Sequence, residues 1–284
     1  MRNCLAASFL TAAAALAMLL ALAPTPGFSQ SGAAPRIPRM ADGKPDFTGV
    51  YAGPAYRSWK TGRVAKDDTD NAGITIYDRQ KMAPFKPEGF EFMSRPFTGQ
   101  IPIDDPTELC LPNGLTRQFM SPYAQQWVQH KDVILNITEY MHFVRIIPIG
   151  APNRPHDPDV ELTWMGDSIG WWEGDTMVID TIGLKEWHLD ATINGGNAIP
   201  ADERGRQRWH SDRLHVIERL KYKDPANPAF LSYEITIDDP VIFTRPWSQE
   251  FGYTRHATWK LLEYVCEENN RCLGGDCKPP AGSQ

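Results

Sequence analysis

The second half of the chain, from about Gln126, consists of short runs of β-branched and aromatic residues at close intervals. Turn residues separate the runs, including Glu173-Gly174 and the segment KYKDPANPAF, and no helical periodicity of useful length intervenes. Short strands in this arrangement are typical of an antiparallel sandwich or closed barrel. The sequence therefore predicts an all-β domain over residues 126–270. The runs are WVQHKDVILNITEY, MHFVRIIPI, SIGWW, TMVIDTI, RLHVIERLKY, FLSYEITI and TWKLLEYVCEE.

Residues 30–125 differ from this β-domain because they are rich in Pro and Gly and show little periodicity. Within them, RMADGKPDFTGVYAG predicts a turn followed by a short strand over 47–51, and residues 73–96 predict a short helix or loop. Long loops without structure of their own are uncommon. We therefore expect an N-terminal arm packed on the β-domain, and a C-terminal tail over residues 271–284.

The first 29 residues have the composition of a secretory signal peptide. Arg2 precedes an apolar run from Leu5 to Leu22, which is followed by small residues and a Pro-Gly break, and we expect cleavage after Ser29. The competing interpretation is an uncleaved anchor, because this run is near the lower limit for crossing a bilayer. No other stretch is long and apolar enough to span a membrane. The sequence thus predicts a periplasmic or secreted protein.

Charge and cysteine content agree with export. Removal of the signal peptide leaves a net charge of about −7, which argues against nucleic acid as a partner. The absence of Walker or Rossmann glycine motifs in the sequence predicts that no nucleotide cofactor binds. Four cysteines remain, and an even number in an exported chain favours disulfides over a metal site. We expect the pairs Cys110–Cys266 and Cys272–Cys277, since the last two flank the short loop LGGD.

Several phrases resemble a family of uncharacterised exported bacterial proteins. They are DGKPD, TWMGDSIGWWEGDTMVIDTIG, HSDRLHVIERL, YEITIDDP and LEYVCEENN, and the resemblance extends over residues 42–269. It implies export but no particular chemistry. The meander of strands and the Trp-Glu-Gly-Asp hairpin also resemble lipocalin-like barrels, which implies an antiparallel barrel rather than a particular function.

Glu218 is the residue that fits its surroundings least. In HSDRLHVIERL the even positions 214–222 form an apolar strand face, and Glu218 is the charged residue on it. Desolvation of a carboxylate favours its protonated form, a condition for a general acid or base. The alternative is a buried salt bridge with Arg145 or Arg219 as the partner.

The segment EYMHFVR contributes a second polar group. Read as one strand, it places Glu139 and Arg145 on one face and Tyr140 and His142 on the other, together with Asn136. His142 beside Tyr140 would serve proton transfer, and Arg145 would anchor an anionic group. A satisfied structural histidine is the competing interpretation.

Two further combinations involve carboxylates. A bulge could unite His210, His215 and Glu218 as metal ligands, but the sequence has no His-x-His or His-Glu-x-x-His pattern, so we predict no metal. Asp180 is a second carboxylate with apolar neighbours, and two carboxylates that converge in a pocket would permit hydrolysis of a glycosidic bond.

Tryptophan is abundant in the β-rich half, and core packing is the simplest role for most of these side chains. Trp172, next to Trp171 on a strand, and Trp247, in a Pro-bounded loop, are candidates for the wall of a pocket. Such walls suit a planar, sugar-like or polycyclic ligand. The seven are Trp164, Trp171, Trp172, Trp187, Trp209, Trp247 and Trp259.

These patterns predict an exported enzyme that uses cofactor-independent acid-base chemistry on a small molecule, by isomerisation, elimination, hydration or hydrolysis. One alternative is a non-catalytic, lipocalin-like binding protein for a small apolar or aromatic ligand. Another is a structural envelope protein in which these charged side chains only form salt bridges between strands. The candidates for catalysis are Glu218, His142 and His210, and those for substrate binding are Arg145, Tyr140, Asp180, Trp172 and Trp247.

Overall fold

The computed structural model describes residues 36–52, 85–96, 98, 100, 104–119, 121, 123–189, 206–268, 270 and 272–274. In these ranges it contains two short α-helices, α1 (Pro87–Met93) and α2 (Leu115–Gln118), and 3-10 helices at Pro106–Leu109, Tyr140–His142 and Cys272–Gly274. The strands are β1 (Gly49–Ala52), β2 (Ser94–Pro96), β3 (Gln125–Gln129), β4 (Val133–Thr138), β5 (Val144–Pro148), β6 (Asp167–Glu173), β7 (Thr176–Ile182), β8 (Trp187–His188), β9 (Arg206–His210), β10 (His215–Asp224), β11 (Asn227–Asp238) and β12 (Trp247–Arg255).

Nine strands form one antiparallel sheet in the order β5-β4-β3-β1-β12-β11-β10-β7-β6. The two outer strands meet where Ile149, just after β5, forms a parallel bridge with Gly170 of β6, and the Gly150 amide donates to the Gly170 carbonyl at 2.9 Å. Gly170 permits this approach, because a Cβ atom there would lie 3.1 Å from a methyl group of Ile147. The sheet is a nearly closed barrel, which confirms the predicted all-β antiparallel class.

Alternation of apolar and polar residues explains the strands around the centre of the sheet. In β10 the even residues from Val216 to Tyr222 are buried and the odd ones are partly or fully exposed, and β10 pairs with β7 on one side and with β11 on the other. The β6–β7 hairpin turns at Gly174 and Asp175, one residue later than predicted, because Glu173 pairs with Thr176. Gly174 has a φ of 61°, a left-handed conformation that favours glycine.

The N-terminal arm contributes to the barrel itself. The predicted strand over 47–51 is present as β1, which lies between β3 and β12. Tyr51 of β1 is fully buried, and its hydroxyl donates to the carbonyl of Phe47 at 3.1 Å. Helix α1 lies in the segment for which a helix or loop was predicted. The arm is therefore partly an integral strand and partly a cover.

The predicted strand TWKLLEYVCEE is wrong, and β12 takes its place in the sheet. Residues 256–268 form no strand, and their apolar side chains include Leu262, which is 69% exposed. The amides of Leu262 and Tyr264 donate to the side chains of Glu139 and His142 instead of to a neighbouring strand. We call residues 256–268 the C-terminal strap. Strand β12, with the mixed sequence WSQEFGYTR, is stabilised by its pairing with β11 and β1 on its two sides.

A second layer, which we call the cap, consists of α1, α2 and a three-stranded sheet in the order β2-β9-β8. It lies at the end of the barrel where β6 and β12 begin. The amide of Leu115 in α2 donates to the carbonyl of Trp164, and Phe85 forms a bridge with Phe243 in the β11–β12 loop. Met93 of α1 and Leu189, which directly follows β8, belong to the same hydrophobic core as the barrel interior.

A disulfide joins Cys110 and Cys266, as predicted, and ties the segment before α2 to the C-terminal strap. The predicted partner of Cys272, Cys277, lies outside the described residues, as do the signal peptide over 1–29 and most of the tail over 271–284. In the part of the chain that is described, no helix has the length and apolar character needed to cross a bilayer.

Removal of this disulfide is expected to destabilise the fold strongly. The cross-link spans 156 residues of sequence, and a covalent link over so long a loop lowers the entropy of the unfolded chain. We expect the double variant Cys110→Ser/Cys266→Ser to lose about 3–5 kcal/mol of unfolding free energy. Guanidinium titration measures the loss, and an unchanged midpoint would contradict it.

Candidate ligand-binding site

Glu218 faces the barrel interior and is fully buried. Arg145 of β5 reaches it across the interior and donates two parallel hydrogen bonds, at 2.7 Å to Oε1 and 3.0 Å to Oε2. The hydroxyl of Tyr233 also donates to Oε2. Of the two partners considered from the sequence, Arg145 is the one observed, whereas Arg219 lies outside and pairs with Glu173.

Hydroxyl groups extend this network, in which Nε of Arg145 has no hydrogen-bond partner among the described residues. Nη2 of Arg145 also donates to Ser168 Oγ at 2.9 Å and to Thr181 Oγ1 at 3.2 Å. Burial alone would lower the pKa of Arg145, but the adjacent carboxylate of Glu218 outweighs burial and raises it. Burial raises the pKa of Tyr233 well above its usual value. Glu218 is thus one partner of a buried, hydrogen-bonded pair, which favours a structural role; its catalytic role stays a prediction.

The segment EYMHFVR is not one strand. Met141 and His142 have φ values of 62° and 51°, and this left-handed turn separates β4 from β5. The turn reverses the predicted alternation, so Arg145 shares its face with Asn136 instead of opposing it. The predicted pairing of faces was therefore wrong, because it assumed uninterrupted period-two geometry.

The predicted site residues in this turn lie away from Glu218. His142 is exposed, and its Nε2 accepts a hydrogen bond from the Tyr264 amide at 2.9 Å. Tyr140 stacks on Tyr123 with ring centres 4.9 Å apart. The structure thus does not bring His142 and Tyr140 to the buried carboxylate.

Asp180 lies on the outer face of the sheet. Its Oδ1 is 2.7 Å from Nε2 of His215 and 3.1 Å from Nε2 of His156. Burial tends to raise the pKa of Asp180, but the hydrogen bonds of His215 and then His156 outweigh it and lower the pKa. The hydrogen bond to Asp180 raises the pKa of His215. Asp180 is paired in register with Ile217, the neighbour of Glu218, so the two carboxylates point to opposite faces and do not converge.

The three residues considered as alternative metal ligands are in three different places. His210 is in the cap, His215 is on the outer face with Asp180, and Glu218 is inside the barrel with Arg145. Among the described residues, no group of three or more His, Cys, Asp or Glu side chains could hold a metal ion.

The two candidate tryptophans of the pocket wall pack against aromatic neighbours. Trp172 stacks on Phe47 at 5.7 Å, with Lys44 over its ring. Trp247 begins β12 and packs edge-on against Phe243 at 5.6 Å. Both are half-buried and contact the main hydrophobic core.

Buried polar atoms without a hydrogen-bond partner indicate a different site. In the described part of the chain, nine buried side-chain atoms have no partner, and five of them belong to residues that neighbour Trp187 by ring contact, by register or through the segment bonded to its indole. Native proteins satisfy most buried polar atoms, and an unsatisfied one calls for an explanation such as a function or a bound molecule. The five atoms are Asn113 Oδ1, Trp164 Nε1, His188 Nδ1, His188 Nε2 and His210 Nε2.

We call this group the Trp187 cluster; it comprises Asn113, Trp164, Trp187, His188, Trp209 and His210. Two Trp-His dipeptides, one in β8 and one in β9, form its centre, and they pair so that each Trp lies opposite the other dipeptide's His. The imidazole of His188 lies 4.6 Å from the ring of Trp209. The ring of Trp187 lies 6.0 Å from that of Trp164, and its Nε1 donates to the carbonyl of Pro112.

Both histidines of the cluster are neutral near pH 7. Burial lowers the pKa of His188 to about 4, and nearby Arg117 contributes to the shift. Burial also lowers the pKa of His210, against the hydrogen bond that it makes with the backbone of Ser211. The neutral imidazole of His188, with both nitrogen atoms open and the indole of Trp209 beside it, can bind a small molecule through hydrogen bonds and flat apolar contacts.

Sequence reasoning singled out His210 but missed His188, Trp187 and Asn113 as site residues. The missed signal is the repeated dipeptide: Trp-His occurs at 187–188 and again at 209–210. The position of Gly114 could not be interpreted from the sequence either. A Cβ atom at Gly114 would lie 2.8 Å from Cδ1 of Trp187, so glycine lets this backbone approach the indole.

Comparisons with protein-family models, with curated proteins and with solved structures found no match to this chain. The resemblance to exported bacterial proteins and the likeness to lipocalins therefore stay predictions.

Replacement of Glu218 tests its structural role. Glu218→Gln leaves the guanidinium of Arg145 buried without a counter-charge, and loss of one partner of a buried pair costs about 3–5 kcal/mol of unfolding free energy. The matched control is Glu173→Gln in the exposed Arg219 pair, which is expected to cost less than about 1 kcal/mol.

The double variant Arg145→Met/Glu218→Leu is expected to be more stable than Glu218→Gln, because it removes both charges together. Urea titrations of these variants measure the differences. Equal stability of wild type and Glu218→Gln would contradict the ion-pair role.

The outer network predicts a pH-dependent contribution to stability. Asp180 raises the pKa of His215, so the protonated histidine stabilises the fold fully below its unfolded pKa of about 6.5. The contribution disappears as the pH rises through the folded pKa. The stability difference between wild type and His215→Gln is therefore expected to be larger at about pH 5.5 than at about pH 9. A difference that stays constant across this range would contradict the prediction; the exposed His130→Gln is the control.

Proposed function

We propose that this protein is an exported small-molecule-binding protein, and that its ligand site is the Trp187 cluster at the capped end of the barrel. The observation that carries the proposal is His188, which is fully buried and has no hydrogen-bond partner among the described residues at either ring nitrogen. A ligand with polar groups would supply these partners.

The energetic argument concerns the ligand-free protein. Each buried polar group without a partner costs about 1–3 kcal/mol, because it has lost its hydrogen bonds to water. An apolar side chain at position 188 would avoid this cost. A chain that keeps such a residue at the cost of stability is typical of a functional site.

Binding is better supported than acid-base catalysis at Glu218. Arg145 and Tyr233 occupy both carboxylate oxygens of Glu218, so the group has little capacity left to accept a proton from a substrate. The predicted proton partner, His142, is exposed in the turn after β4. We therefore favour the non-catalytic alternative over the enzyme.

Export is supported by two features. The first 29 residues have the pattern of a signal peptide. The disulfide between Cys110 and Cys266 is a bond that persists in oxidising compartments such as the periplasm.

The variant His188→Phe tests the proposal, because His188 would lower the stability of the ligand-free protein while it contributes to ligand binding. Without ligand, the variant is expected to be about 1–3 kcal/mol more stable than wild type, since a ring of similar shape replaces two unsatisfied nitrogen atoms. The gain is expected to grow as the pH falls from about 6.5 towards 4, because His188 must stay neutral in the folded wild type.

Thermal shifts with phenol, indole and cyclohexanol measure binding, and the increase in Tm seen for wild type is expected to be lost in the variant. The control is His130→Phe in the exposed β3–β4 turn, which is expected to leave binding unchanged. A less stable His188→Phe, together with no shift by any compound in wild type, would show that an internal water satisfies His188 and would refute the site.

A further inference from the structure

The outer surface of strands β4 and β5 is apolar along its whole length. The inward residues of both strands are buried, and the outward ones form three direct cross-strand pairs. Val144 is 52% exposed and Ile146 is 64% exposed. Val128 of β3 lies beside Leu135 and widens the apolar surface. We call the six paired residues the β4–β5 face; they are Val133 with Pro148, Leu135 with Ile146, and Ile137 with Val144.

Other strands of the barrel carry charged side chains on the outside, or the chain itself covers their apolar ones. Asp180 of β7, Arg219 of β10 and Glu234 of β11 all point outward. Trp171 of β6 and Val178 of β7 also point outward, but they are buried in a small hydrophobic cluster of their own. The β4–β5 face differs because it is apolar and open. A contiguous surface of this kind marks a contact with another molecule.

The two ends of the β4–β5 face carry opposite net charge. At the end where β4 begins, Lys131 of the β3–β4 turn and Arg154 of the loop after β5 outnumber Asp132. At the other end, the turn after β4 meets the C-terminal strap, whose Leu262 amide donates to Glu139 at 2.8 Å. Acidic residues outnumber Lys260 in this turn and strap. They are Glu139, Glu263, Glu267 and Glu268.

We infer that the β4–β5 face binds the same face of a second copy of this chain, so that two copies form a symmetric dimer. An apolar centre between a basic end and an acidic end is complementary to itself once one copy is reversed relative to the other. Most homodimers use such a contact between identical surfaces. The dimer contact involves none of the residues of the Trp187 cluster, so neither site depends on the other.

The end charges select the orientation of the two-fold axis. An axis parallel to the strands would bring the two acidic ends together. An axis perpendicular to the strands, in the plane of the contact, reverses the second copy and places its acidic end over the basic end of the first. If this axis passes the central pair of the face, Ile146 meets its own counterpart and Val144 meets Pro148 of the second copy. The contact then has an apolar centre and a charged rim, as protein interfaces do.

The variant Ile146→Asp tests the dimer, because it places an unpaired carboxylate at the centre of the contact. Equilibrium sedimentation of the purified protein is expected to show a dimer for wild type and a dissociation constant at least about tenfold higher for the variant. The matched control is Phe230→Asp on β11, which also replaces an exposed apolar strand residue and is expected to leave the dimer unchanged. Circular dichroism checks that both variants are folded.

Two further sets of variants test the orientation. Lys131→Glu and Glu263→Lys are each expected to weaken the dimer about two- to tenfold at low salt, and the double variant is expected to restore it, because the ends again carry opposite charge.

The variant Ile146→Cys is expected to form a disulfide-linked dimer under mild oxidation, since each new thiol meets its counterpart near the axis. Non-reducing electrophoresis detects the product. Lys221→Cys, on the exposed side of β10, is the control and is expected to form no such dimer.

Two results would overturn the dimer. The first is a wild-type protein that stays monomeric up to millimolar concentration; if Ile146→Asp then abolishes binding to phosphatidylcholine vesicles, the β4–β5 face contacts a lipid surface instead. The second is a dimer that Ile146→Asp leaves intact, since such a dimer uses another surface. A dimer that Ile146→Asp disrupts, but that the two charge changes do not weaken, would refute the reversed orientation.

Discussion

The ion pair between Arg145 and Glu218 is the interaction on which the barrel interior depends. It joins β5, an outer strand of the sheet, to β10 across the barrel interior, and Ser168, Thr181 and Tyr233 bring three more strands into the network. Because the pair is fully buried, neither charge can be removed alone without leaving the other unneutralised. The position of β5 relative to the β7–β10–β11 wall is set by this geometry.

The polar groups of the core differ in how completely they are satisfied. Around Glu218 the guanidinium, carboxylate and hydroxyl groups bond to one another, and Nε of Arg145 is the atom of this network without a partner among the described residues. Around Trp187 the two Trp-His dipeptides leave imidazole nitrogens open in a buried setting. Most of the polar groups around Glu218 are thus satisfied, whereas several around Trp187 are not. Such a contrast is expected where a functional site is built on a stable scaffold.

Most of the barrel could be predicted because its strands alternate clearly, as β10 does, with turns marked by Gly, Asn and Pro. Strand β12 could not be predicted, because its sequence mixes Gly252 with polar residues. Its extended conformation depends on pairing with β1 and β11. The faces of β5 were misassigned because a left-handed turn at Met141 and His142 has no signature in residue type. His188 was missed since its significance depends on partners that are absent around it, which a sequence does not display.

The border between β5 and β6 gives the barrel an uneven mechanical character. Elsewhere the strands are joined by ladders, whereas the described contacts across this border are those of Ile149 and Gly150 with Gly170 and the hydrogen bond from Arg145 of β5 to Ser168 of β6. Loss of the Arg145 side chain would therefore remove much of what joins these two strands. Loss of one side chain from any other strand pair leaves its backbone ladder in place.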